Sequence, residues 1–280
     1  GGRKPPTSLF LPQVRHDRDM DATDIVLQDL ADEHLALATL ITGLSEQQWR
    51  TKTPADGWDI ADSVSHLYFF DIRSALAMTD AADFAADTQE MMKSFATGGD
   101  PSVAFGRSAT GSELLSEWKK YSAALVLAGR NADRTQRVPW YGPSMSVASF
   151  LTARLMETWA HSVDVSDALS LSPTSSMRLK HIAHIGVLAR ANSYRSRQRE
   201  VPEANIFVSL QAPDGSLWEW GSADAPESVR GSALDFSLLV TQRRHVKDTQ
   251  LVAQGALATE WLGIAQAFAG PAGAGRQPLS

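Results

Sequence analysis

Ala153-Arg154-Leu155-Met156-Glu157-Thr158-Trp159-Ala160-His161-Ser162-Val163-Asp164-Val165 forms the middle of a mainly apolar stretch, and its periodicity predicts a helix from Ser146 to Leu169. Because side chains four residues apart lie on one face of a helix, Glu157 and His161 can point at the same ion. The spacing alone is weak evidence, since the same pair also occurs as an ordinary contact on a solvated helix surface. The apolar setting favours the metal-site interpretation, because a buried carboxylate without a partner is costly.

His66 is the candidate third ligand, in a second predicted helix that runs from Ile60 to about Met78 behind an Asp59 cap. On pattern alone, a histidine in such an apolar segment is more often a core residue that bonds a neighbour, here Asp62 or Ser63. Asp164, three residues after His161, can be a fourth ligand, a partner for an imidazole or a surface charge. One carboxylate and two imidazoles would leave a coordination position open, as in catalytic zinc sites.

The composition limits the classes of function. The chain of 280 residues is 43% hydrophobic and 21% charged, which is typical of a soluble globular protein. Its formal net charge of −6 argues against nucleic-acid binding, and its lack of cysteine excludes disulfides, thiolate metal sites and a cysteine nucleophile. No apolar run reaches the roughly 20 residues that a membrane span needs, and no secretory segment is visible, so we expect a cytoplasmic protein without membrane partners.

The periodicity of the chain changes near residue 200, which predicts two domains. Residues 20–200 read as a helical bundle, with further helices at 22–44, 81–95, 110–128 and 176–197. Residues 201–270 read as a small α+β domain with strands at 206–210, 217–220, 228–231 and 251–253 and helices at 233–243 and 256–268. We interpret residues 1–19 as a tag or disordered extension and residues 271–280 as a disordered tail.

Two further groups of residues are candidates for ligand binding. Trp140 and Tyr141 lie in a loop before the Glu157 helix, where they can line the mouth of a pocket or simply anchor the loop. Arg243 and Arg244 lie at the C-terminal end of the predicted helix at 233–243 and can either recognise an anion or cover a solvated helix end.

At these residues the chain resembles a known family. Gly57-Trp58-Asp59-Ile60 with Ser65-His66-Leu67 resembles the first ligand helix of DinB-like proteins. The stretch 153–165 resembles the second metal helix of the mycothiol-dependent maleylpyruvate isomerases. Pro213-Asp214-Gly215, Trp218-Glu219-Trp220-Gly221 and the stretch 264–270 resemble the C-terminal domain of that branch, which is similar to sterol-carrier modules. The resemblance covers roughly residues 20–270.

The resemblance implies a fold and a site. The fold is mainly α, a DinB-like four-helix bundle followed by a small sterol-carrier-like α+β domain. His66, Glu157 and His161 are the implied ligands of a divalent metal, usually zinc, and Arg243 or Arg244 is the implied arginine that reaches the site from the second domain. Trp140 and Tyr141 would then contribute to binding the cosubstrate.

The resemblance also implies a mechanism. A thiol cosubstrate such as mycothiol would bind the metal as a thiolate and add to a small electrophilic substrate, either isomerising it or staying attached to it. Two alternatives stay open: a metal-dependent hydrolase on the same bundle, and a non-catalytic metal- or ligand-binding protein. In each case we expect small-molecule ligands and a monomer or homodimer.

Overall fold

The structure is a computed structural model that describes residues 21–96 and 98–279. The extension predicted at residues 1–19 lies outside these residues. The N-terminal helices are α1 (Ala22–Ile41), α2 (Glu46–Trp49), α3 (Ile60–Thr79), α4 (Ala81–Ala96), α5 (Ala104–Ser108), α6 (Gly111–Asn131), α7 (Val147–Ala168), α8 (Leu179–Leu188) and α9 (Arg190–Arg195). A two-residue ladder of β1 (Arg137–Val138) and β2 (Met145–Ser146) precedes α7.

Four long helices form the bundle: α1 and α3 each pack against both α6 and α7. Local sequence explains where they begin. Asp59 and Asp62 form a capping box at the start of α3, and Ser146 accepts a hydrogen bond from the Ser149 amide at the start of α7. Trp118 and Trp159 lie almost fully buried in the bundle core. The bundle therefore fixes α3 and α7, the two helices of the candidate site, side by side.

The C-terminal domain is a four-stranded sheet with two helices. It contains β3 (Ile206–Gln211), β4 (Leu217–Trp220), β5 (Glu227–Ser232), α10 (Ala233–Val240), β6 (Val252–Gln254) and α11 (Ala256–Ile264). The strand order is β4-β3-β5-β6, in which β3 and β5 are parallel and the two outer pairs are antiparallel.

The two domains meet where α10 packs on α8. Gly186 permits the close approach, because a Cβ atom there would lie 2.8 Å from a Val240 methyl carbon and 3.0 Å from the Phe236 ring. Gln242 then takes a left-handed conformation with φ 58°, which ends α10 and redirects the chain at Arg243. The packing of α10 on α8 therefore decides where the residues after α10 lie relative to α7.

Four local predictions differ from the structure. The helix predicted at 176–197 is two helices, because the backbone leaves the helical conformation at Ala189 with ψ 0°. The helix predicted at 233–243 stops at Val240, and the one predicted at 256–268 stops at Ile264. The short helices after Asp100 are absent from the prediction, since Pro101 and Gly99 read as a loop.

The segment after residue 270 contains no helix or strand but makes specific contacts as far as Leu279. The Gly273 amide donates to Gln266, the Leu279 amide donates to Asp248, and Arg276 pairs with Asp164 of α7. The residues predicted to be a disordered tail thus lie against both domains in the part that the structure describes. Within that same part, no helix combines the length and apolar character required to cross a bilayer.

Candidate metal centre

The structure brings His66, Glu157 and His161 together between α3 and α7, with one potential donor atom from each within 4.8 Å of the others. The Nε2 atom of His161 lies 3.8 Å from the Glu157 carboxylate, as the four-residue spacing requires. Ligands of a tetrahedral zinc ion, with bonds of about 2.1 Å, lie about 3.4 Å apart. A small inward movement of these three side chains would therefore allow them to share one ion.

His66 is oriented by a chain of two hydrogen bonds that ends on a carboxylate. Its Nδ1 atom lies 3.0 Å from the Ser102 hydroxyl, which lies 2.6 Å from the Asp100 carboxylate. Since a carboxylate only accepts, the hydroxyl donates to Asp100 and accepts from Nδ1–H of His66. This tautomer leaves the Nε2 lone pair of His66 free for a metal.

The bonding partner of His66 corrects the sequence interpretation, which named Asp62 or Ser63. The Asp62 carboxylate instead accepts from the Asp59 amide and from the Arg107 guanidinium, so it is already engaged at the start of α3. Burial and the neighbouring charge of His161 lower the pKa of His66 well below its usual value of 6.5. His66 is therefore neutral at pH 7, which is the form that binds metals.

On its other side the His161 ring faces Asp164. Its Nδ1 atom lies 3.4 Å from the Asp164 carboxylate, too far for a well-formed hydrogen bond, and has no closer polar partner in the described residues. The Trp58 indole stacks on the His161 ring, with centroids 5.8 Å apart and planes at 19°. Trp58 also lies 5.1 Å from the His66 ring, so one indole covers both imidazoles.

Asp164 is fully buried and joins the site to the C-terminal part of the chain. Its two carboxylate oxygens accept from Arg243, at 2.8 Å, and from Arg276, at 2.5 Å. Burial alone would raise the pKa of Asp164, but the charge of Arg243 and the contact with His161 hold it well below its usual value. Asp164 is therefore neither a surface charge nor a member of the three-ligand cluster. Its position beside Nδ1 of His161 fits the remaining alternative, a partner for an imidazole.

The structure separates the two candidate arginines. Arg243 lines a cavity of about 190 Å³ together with Glu157, His161, Met156, Ala160, Thr241 and Phe268. Arg244 turns away from this cavity and forms a two-pronged ion pair with Asp167, at 2.6 and 2.7 Å. Arg243 is therefore the arginine that reaches the cluster from the second domain.

Trp140 and Tyr141 have different surroundings. Trp140 stacks on Phe84, with planes at 7°, and lines a second cavity of about 590 Å³ that also contacts Glu157. Tyr141 also packs against Phe70 and Phe84 but does not line this cavity, and burial raises its pKa to about 12. Phe70 in turn lies 4.7 Å from the His66 ring, so Tyr141 reaches the cluster only through another aromatic ring.

Sequence reasoning missed Ser102, Asp100 and Arg276, which act on the cluster from outside α3 and α7. Asp100-Pro101-Ser102 carried one local signal, because an aspartate that precedes a proline at a helix start commonly caps the next turn. Arg276 carried none, since it lies in a Gly/Pro-rich stretch whose path the sequence does not indicate.

The chemistry of this donor set fits a divalent ion. Two neutral imidazoles and one carboxylate are a common catalytic zinc set, and each imidazole has its second nitrogen directed at a hydrogen-bonding group. The fold and the cluster together define a helical-bundle protein with a candidate metal centre between two bundle helices.

Comparison with known sequences places the chain in a family. Residues 30–166 match the mycothiol maleylpyruvate isomerase N-terminal domain, a region that contains all three candidate ligands. Two uncharacterized proteins of Mycobacterium tuberculosis, from strains CDC 1551 and H37Rv, are each 40% identical over 258 residues, covering 89% of this chain and 96% of the relative. The chain belongs to the mycothiol maleylpyruvate isomerase family.

Comparison with solved structures confirms the expected fold. The crystal structure of a mycothiol-dependent maleylpyruvate isomerase is similar with a TM-score of 0.55 and 15% identity, covering 83% of this chain and 92% of the other. A histidine-to-alanine mutant of such an enzyme is similar with a TM-score of 0.53 and 13% identity over the same shares. The mainly helical fold with a small C-terminal sheet is thus that of these enzymes.

Proposed function

We propose that this protein is a metal-dependent enzyme that uses a low-molecular-weight thiol, such as mycothiol, to isomerise or conjugate a small electrophilic substrate. The observation that carries the proposal is the cavity of about 190 Å³ in which Glu157 and His161 face Arg243. It combines potential metal ligands with a fixed cation, which is what the addition of a thiolate to an activated alkene needs.

In this proposal His66, Glu157 and His161 hold a divalent ion, with zinc the first choice, although this ligand set also suits other metals. A metal ion there would supply the charge that lowers the pKa of a thiol. The chain contains no cysteine, so the nucleophilic sulfur has to come from a cosubstrate. Trp58 shields the two imidazoles from one side and limits the access of water to them.

Arg243 is proposed to bind the oxygen on which negative charge develops. Its Nη1 donates to the Thr241 carbonyl and its Nη2 to Asp164, so the guanidinium is held in one orientation. These contacts use two of the five guanidinium N–H groups, so donors remain for a ligand in the cavity that Arg243 lines. A preorganised cation of this kind stabilises an enolate-like oxygen as the thiolate adds to the conjugated carbon.

The first test measures metal and thiol dependence together. Metal-loaded protein is incubated with mycothiol and maleylpyruvate or a related conjugated electrophile, and both isomerisation and thiol loss are followed. We expect about one equivalent of metal and a thiol-dependent reaction, both lost in His161→Ala and retained in His245→Ala, which removes a histidine outside the cluster.

The outcomes separate the alternatives. Thiol that is required but not consumed indicates an isomerase, and stoichiometric loss of thiol indicates a transferase. Turnover without thiol would replace the proposal with a metal-dependent hydrolase. Metal binding without any turnover over a broad set of electrophiles would leave a non-catalytic binding protein.

A further inference from the structure

The second cavity, of about 590 Å³, adjoins the candidate metal centre along α7 and is not needed to hold a metal. Ala153 and Glu157 both line it and lie four residues apart, so they are neighbours on one face of the helix. Its volume is within the range of about 300–1,000 Å³ that is usual for small-molecule sites. It is therefore a chamber that opens directly beside a candidate ligand.

The walls of this chamber are mainly apolar and contain unusually small side chains. The larger apolar side chains come from α1, α7 and α8: Val26, Phe150, Met156, Ile185 and Leu188. Alanines at 148, 153, 189, 267 and 269 leave the space between them open. An apolar ligand would be stabilised there, because its surface would leave water for an apolar environment.

The basic side chains at the chamber already have partners, and the Nε–H of Arg154, which has none in the described residues, is buried. Arg154 donates to the buried Asp71 carboxylate at 3.0 Å, and His181 lies 2.6 Å from the Asp29 carboxylate. The Nδ1 atom of His184 accepts from the Trp220 indole N–H at 3.1 Å. An anionic ligand would lose its hydration without gaining a free cation in exchange, and the Glu157 carboxylate would repel it.

We infer that this chamber binds the uncharged, apolar body of the electrophilic substrate and presents its reactive end to Glu157 and Arg243. The substrate class is then an uncharged electrophile with a hydrocarbon or aromatic body, such as an enone or an epoxide, rather than a dicarboxylate. This role in catalysis rests on the proposed function, whereas the binding of an uncharged apolar ligand does not.

The test uses metal-free full-length protein and no thiol, so that it is independent of the chemistry. Phenylnaphthylamine, an uncharged fluorescent probe, is titrated against the parent, Ala153→Phe and Ala123→Phe. The first variant fills the chamber, and the second places the same ring in a different groove, between α1 and α6. We expect one site in the parent, about tenfold weaker binding in Ala153→Phe and unchanged binding in Ala123→Phe.

Several results would overturn the inference. It fails if the parent does not bind the probe, if Ala153→Phe binds as the parent does, or if the anionic analogue anilinonaphthalene sulfonate binds more tightly than the uncharged probe. Ala148→Phe, from the same wall, replaces Ala153→Phe if circular dichroism shows that the latter does not fold. Thiol-dependent turnover with a failed probe titration would keep the proposed function and reject only this chamber.

Discussion

The Ser102 hydroxyl lies 3.0 Å from the Nδ1 atom of His66 and joins this candidate ligand to the Asp100 carboxylate. The contact links α3 to a short 3₁₀ helix, Pro101–Val103, thirty-six positions further along the chain. The α5 helix that follows packs closely on α3, because a Cβ atom on Gly106 would lie 2.6 Å from the Ala61 carbonyl oxygen. The orientation of one ligand thus depends on a segment that supplies no ligand itself.

Ser102→Ala is expected to weaken metal binding by about 10- to 100-fold, the usual effect of removing a group that orients a ligating histidine. The Nδ1–H of His66 would lose its acceptor, and the ring would be free to rotate. Zinc affinity, measured by competition with a chelator, checks this. Ser108→Ala, on α5 and exposed, is the matched control, and equal affinities for the two variants would contradict the orienting role.

Arg243→Gln and Arg244→Gln are expected to behave differently although the residues are adjacent. Losing Arg243 should lower kcat of the thiol-dependent reaction by about 100- to 1,000-fold, as for other donors to a developing oxyanion, with metal content unchanged. Losing Arg244 removes its pair with Asp167 and its contact with the Arg243 carbonyl, and should leave kcat within a few-fold of the parent because Arg244 does not line the cavity. Steady-state kinetics on metal-loaded variants test this, and a larger loss for Arg244→Gln would reverse the assignment.

Arg276→Gln is expected to lower the free energy of unfolding by about 1–3 kcal/mol, because it leaves one oxygen of the buried Asp164 carboxylate without its partner. Arg243 still neutralises that carboxylate, so the protein should fold. Arg199→Gln, whose pair with Glu260 is largely exposed, is the control and should cost less than about 1 kcal/mol. Urea unfolding measures both, and equal effects would show that the Arg276 contact contributes little.

The buried His34 side chain is expected to make the folded protein less stable in mild acid. Burial lowers its pKa below the usual 6.5, against the opposing charge of Asp71 and with the help of Arg154. The unfolded chain therefore takes up this proton more readily than the folded protein does. The contribution of neutral His34 to the free energy of unfolding is complete above about pH 6.5 and declines as the pH falls below that value.

The measurement compares urea unfolding of the parent and His34→Gln in metal-free protein from pH 7.5 to pH 5. The parent should lose stability faster than the variant as the pH falls, because the variant no longer has this group to protonate. Parallel curves would show that other groups, such as the buried carboxylates, account for the acid sensitivity.

Features that depend on neighbours along the chain could be predicted from the sequence. The 3.6-residue period of α7 places Glu157 and His161 on one face wherever that helix packs, and the capping residues fix where α3 and α7 begin. The change of period near residue 200 separates the helical bundle from the small sheet domain. His66 was a candidate third ligand from its place in a second helix, and the resemblance to a known family favoured that role over a core histidine.

Contacts between segments that are distant in the chain depend on the tertiary structure. Ser102 meets His66 because the 3₁₀ helix before α5 packs on α3. Arg243 rather than Arg244 faces the cluster because α10 docks on α8 and the chain turns at Gln242. Arg276 reaches Asp164 from a stretch whose own composition favours no regular structure. Such contacts depend on loop paths and on domain docking, for which local periodicity and propensity carry no information.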